Sequence, residues 1–176
     1  MKVGDNSFDS KSSFKSIEKD FGLIINKLLK NEQLKKLLFY TTDDCLERAV
    51  LSREETLSLI NKQIQIIPRK FIPTNEAYPL VNIMFDNFMD NGTNPEFRDN
   101  IIIIDILCHY DQWNLGNFQL RPYKIAGEID GLLHDKYLTG IGRVRFMSAQ
   151  MALVDDNIGG LTLIYSAIHG DDDRIE

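Results

Sequence analysis

Four isoleucines in a row open the stretch IIIIDILCHYDQWNLG at residues 101–116. The run reads as part of a strand from about Arg98 to Tyr110, in which successive side chains point to opposite faces of a sheet. One face then carries Ile102, Ile104, Ile106, Cys108 and Tyr110, all suited to a core. The other carries Ile101, Ile103, Asp105, Leu107 and His109, a mixture too apolar for open solvent. That second face calls for a cover, either the N-terminal helices or another subunit.

The rest of the chain arranges itself around this strand. Residues 16–39 hold the helical period through Ile17, Phe21, Ile24, Leu28, Leu34, Leu37 and Leu38, with Asn31 as a cap that splits the stretch into two helices. TTDDC at 41–45 reads as a turn, and SREE at 52–55 as a capping box opening a helix through Leu57, Ile60 and Ile64. Pro68 and Pro73 end the helical part. In LVNIMFDNF the period becomes two, and MDNGTNPEF at 89–97 supplies the tip of an antiparallel hairpin with the isoleucine strand. RPYKIAGEIDGLLHD returns to helical spacing, with Pro122 in the first turn and TGIG at 139–142 as the stop. Strands over 143–154 and 160–168 follow, joined by DDNIGG.

The predicted order α-α-β-β-α-β-β describes an α+β fold: one antiparallel sheet of two hairpins with helices packed on one face. All strand joins read as local, with no crossover required. At 176 residues the chain suits a single domain, here 16–170, between a polar arm at 1–15 and an acidic, disordered tail at 171–176. The arm reads as flexible or as ordering only on a partner.

Composition removes several functions. No run of about 18 apolar residues marks a membrane span. Two cysteines make no disulfide framework, which fits a reducing compartment. Residues 1–70 hold 13 basic and 10 acidic side chains, net +3; residues 71–176 hold 7 and 16, net −9. So acidic a half gains little from displacing counterions on a duplex, and specific DNA binding is not expected.

Reactive groups are present without a reactive pattern. Asp105 and His109 share a face but stand about 13 Å apart along a strand. Cys108 points inward as a small hydrophobe. His109, His134 and His169 lack metal-ligand spacing, and the DDD at 171–173 reads as a solvated run. GIG at 140–142 follows a helix instead of opening one, so it is a turn and not a phosphate loop. No catalytic, metal or cofactor site is therefore assigned. Trp113 reads as a lid over the core edge with its indole N–H on a carbonyl, or as an interface anchor. Arg121 caps loop carbonyls or pairs with a neighbouring subunit.

FGLIINKLLKNEQLKKLLFY, then LVNIMFDNF with FRDNIIIIDILCHYDQW, then RPYKIAGEIDGLLHD, then GIGRVRFMSAQ with GGLTLIYSAIHG follow one another in an order that is similar to the neck and tail-completion proteins of tailed bacteriophages, in particular the tail terminator family. The resemblance spans about residues 20–170. It implies a structural virion protein at the head–tail junction, made in the host cytoplasm: a closed homo-oligomeric ring, usually a hexamer, that caps the tail tube and presents the surface to which the head connector docks. Its partners would be its own copies, the tail tube protein and head-completion proteins, with DNA passing through unbound. The resemblance implies no cofactor and no catalytic residue; Asp105, Leu107, His109, Trp113 and Arg121 are the candidate subunit contacts. A head-closure or other neck ring is the nearest alternative. A small hydrolase using Asp105, His109 and Asp111 after a strand bend, or a monomeric adaptor that binds a peptide along a sheet edge, are the competing classes.

Overall fold

The computed structural model describes residues 14–66, 77–90, 98–138 and 142–169. Residues 1–13 of the predicted arm, the tail, residues 91–97 of the predicted 89–97 hairpin tip and most of TGIG lie outside these ranges; Phe14 and Lys15, predicted as arm, already belong to the first helix, and Met89 and Asp90, predicted as tip, to the second strand. Helices α1 (Phe14–Lys30), α2 (Glu32–Phe39) and α3 (Arg53–Ser58) come first. Strands β1 (Ile64–Gln65), β2 (Leu80–Asp90) and β3 (Arg98–His109) follow, then α4 (Arg121–Leu133), the short β4 (Tyr137–Leu138) and β5 (Gly142–Arg143), and finally β6 (Arg145–Leu153) and β7 (Ile158–His169). None of the described helices is long and apolar enough to cross a membrane.

The α+β class is as the sequence predicts. Local chemistry sets the helix starts: Asn31 Oδ1 accepts from Leu34 N at 2.9 Å, and Ser52 and Glu55 exchange both bonds of a capping box. Pro122 sits in the first turn of α4, where a missing N–H costs nothing. Behind α1 and α4 lies one continuous core in which Ile24, Leu28, Leu37, Ile104, Ile129 and Tyr165 are fully buried. Phe21 of α1 meets Phe85 of β2 edge to face, with ring centroids 4.8 Å apart.

Two expectations fail. The helix over 52–64 stops at Ser58: Asn61 turns left-handed at φ 62°, and Ile64 enters the core as β1. Burying Ile64 beside Val81 outweighs continuing a short helix with no buried residue. That pairing is parallel, so the sheet is mixed.

The joins are also not all local. The five strands lie in the order β1-β2-β3-β7-β6, so β7 is inserted between β3 and β6. Because β3–β7 and β6–β7 are both antiparallel, β3 and β6 run parallel and α4 makes the crossover between them. At the junction of the two hairpins β7 comes very close to β3. A Cβ on Gly160 would collide with the backbone carbonyl of Ile106, so only glycine fits there.

Candidate functional site: the sheet face away from the helices

All four helices leave one face of the sheet alone, and it is the mixed face foreseen from the isoleucine run. Cross-strand register lays it out in rows. Gln65, Asn82, Asp105, Thr162 and Gln150 form one polar row across all five strands. Thr162 Oγ1 donates to Asp105 Oδ1 at 2.6 Å, while the buried Asn82 Oδ1 and Gln65 Oε1 meet no donor. On one side of this row Leu80, Leu107 and Ile158 form a second small core with Tyr78 and Ala152. On the other, Met84, Ile103 and Ile164 stand in register and only half buried, with Ile101 beyond them.

Leu107 is thus 7% exposed and already occupied, whereas Asp105 and His109 remain half buried on this face. His109 caps the short 3-10 turn Tyr110–Gln112: its Nδ1 faces the backbone N–H of Asp111 at 3.3 Å and the Asp111 carboxylate at 3.4 Å. Asp105, tied to Thr162, does not join them. The bend predicted for a hydrolase brings His109 and Asp111 together and leaves the third group behind.

Trp113 donates its indole N–H to Cys108 O at 3.2 Å and packs on the core edge beside Tyr110, 5.3 Å away. This is the lid geometry. Arg121 is fully enclosed and unavailable to a neighbouring subunit. Its guanidinium donates to the carbonyls of Gln112, Leu37, Tyr40 and Thr42 at 2.6–2.8 Å. It therefore ties the C-terminal end of α2, where carbonyls lack helical partners, to the loop before α4.

These positions carry no assembled chemistry. Burial pushes the Cys108 thiol up to about 12, far from a thiolate at neutral pH, and the Cys45 thiol also upward. Both cysteines are free. Among the described residues no three His, Cys, Asp or Glu side chains gather to hold a metal ion. His134 ends α4 and its Nδ1 accepts from Phe146 N at 3.1 Å. A cleft of about 210 Å³ lies between α1 and β4, lined by Leu23, Asn26, Lys27, Lys30, Tyr137 and Leu138, with no carboxylate or imidazole.

A model of the YomW family matches residues 31–167, from the cap of α2 nearly to the end of β7. The chain belongs to the YomW family. That name is a Bacillus phage SPBc2-type gene-product designation and suggests a phage-derived protein. The matched span takes in the whole mixed face and the Arg121 anchor. No curated protein matches the chain.

One surface escaped the sequence reading. Strand β6 is exposed along all of its length except Ala152, and Phe146, Met147, Met151 and Leu153 are 41%, 55%, 50% and 73% exposed. The signal was present in RFMSAQMALV, where large apolar residues fail to alternate with polar ones.

Proposed function

We propose that this YomW-family chain is a structural protein of the phage head–tail junction, a ring component that ends the tail tube and docks it to the head connector. The observation that carries the reading is the face turned away from the helices: half-buried Ile101, Ile103 and Ile164 lie beside buried Asn82 and Gln65 with unmatched acceptors, a surface that the described residues leave partly open. A subunit contact would finish it. A ring requires head-to-tail contacts between unlike patches, and the basic-leaning first part and acidic second part supply unlike charge. The acidic half suits a passage for DNA, since like charge denies the duplex any counterion-release gain. Terminator and head-closure rings share these requirements, and the terminator assignment follows the order of elements.

Removing the protein from an infecting phage is expected to leave filled heads and tails unjoined. Wild-type protein restores joining; Ile103→Lys, which leaves the helix-covered core untouched, does not. Full restoration by Ile103→Lys, or loss of joining with His109→Ala in a protein that still assembles, would count against the reading and return attention to His109 and Asp111.

A further inference from the structure

The two edges of the sheet are finished differently. On one side the outer edge of β2 is covered by β1 at Val81 and Asn82 and broken by a register shift between Asp86 and Met89, with Asn87 at φ 55°. On the other, β6 offers nine residues of edge, long for a strand left unpaired. Its start is partly blunted: Met147 lies in a bulge, and His134 takes the Phe146 N–H. From Ser148 to Leu153 no other strand among the described residues pairs with its outer edge.

We propose that β6 is a self-pairing edge, and that its occupant is β6 of a second copy, antiparallel about a two-fold axis at Gln150. The sequence along the strand is complementary to its own reverse. In that register Met147 meets Leu153 of the second copy, Phe146 meets Val154, and Arg145 meets Asp155. Arg145 stands at the beginning of the strand, just after Arg143, which is tied to Asp135, and acidic residues stand past its end, at Asp155 and Asp156. Antiparallel pairing brings each basic end against an acidic end twice, whereas parallel pairing would stack like on like. Val154, itself 47% exposed, and the four large apolar side chains of β6 would be covered in the same step. Main-chain bonds supply the affinity of such an added strand, and the side-chain pattern supplies the choice of partner. The contact is isologous, so it closes on two copies and cannot itself propagate a ring. It is separate from the ring contact and does not rest on that reading.

The test is the mass of the full-length protein by light scattering over a range of micromolar concentrations. The wild type is expected to pass from 20.3 kDa to twice that mass. Leu153→Lys and Met147→Lys, each of which sets Lys against an apolar partner, should weaken the dimer by at least about tenfold while the circular dichroism stays unchanged. Gln150→Cys should be joined to its copy by a short thiol-reactive bismaleimide, since facing Cβ atoms in such a pair lie about 5 Å apart. Buried Cys45 and Cys108 do not compete. A wild type that stays monomeric overturns the proposal. So does a dimer indifferent to both lysine substitutions with Gln150→Cys uncross-linked, or a ring mass that they leave unchanged, which would spare the ring reading. A dimer lost on substitution supports edge pairing whether or not the protein is found at the junction.

Discussion

The two faces of β3 put the same residue type to opposite uses. Ile102 and Ile104 lie at 0% exposure beneath the helices, whereas Ile101 and Ile103, their immediate neighbours in sequence, stay half open on the far side. Covered isoleucines hold the molecule together, and uncovered ones remain available to something outside it. Polar groups follow this division only in part, since Asn100, on the same face as Ile102, also keeps a buried acceptor without a donor. Arg121, on the covered side, has its donors placed on four carbonyls, while Asn82 and Gln65 on the open face keep acceptors without donors. The helix-covered side therefore carries most of the stability, and the proposed contact lies on the other side of the same sheet.

Substitutions sharpen that division. The largest loss is expected for Arg121→Ala, which strands four carbonyls in an enclosed site; about 3–5 kcal/mol is typical of breaking such a buried charged network. Thermal unfolding should then fall by roughly 10 °C. Ile104→Ala opens a core cavity and should cost about 2–5 kcal/mol by denaturant unfolding. The same change at Ile103 should cost well under half as much. Equal losses at the two positions would erase the distinction between the faces.

Asp20 offers a pH test on the helical side. Burial pushes its carboxyl up to about 6, with Lys19 pulling slightly the other way. Between about pH 4 and 6 the folded state then holds a proton that the unfolded state has released. Stability contributed by that proton is present at low pH and is lost as pH rises through the folded value. Asp20→Asn should flatten this slope. A slope unchanged in the variant would remove Asp20 as its source. The smallest effect belongs to the open face: Thr162→Val, which takes the hydroxyl from Asp105, should cost only about 1 kcal/mol.

Local chemistry was legible in the sequence, and non-local choice was not. Asn31, the Ser52–Glu55 box and Pro122 announce their helix starts because a few adjacent atoms decide each one. The alternation in IIIIDILCH sorted the two faces correctly for the same reason, although Tyr110, predicted on the core face, leaves the strand for the 3-10 turn and is exposed. The parallel β1 could not be read this way, since Ile64 and Gln65 leave the helical pattern only because Val81 and Asn82 receive them. Nor could the insertion of β7 between β3 and β6, which depends on the close approach that Gly160 permits. Among the candidate contacts, Arg121 shows its place once the carbonyls at the end of α2 are seen beside it. The exposed edge at β6 becomes visible only when strand order is known.

Electron microscopy of phage particles with a label fused to this chain tests the central claim most directly. Density from the label in a closed ring at the joint between head and tail is the predicted result. Intact, infectious particles with no label anywhere along that joint would contradict it.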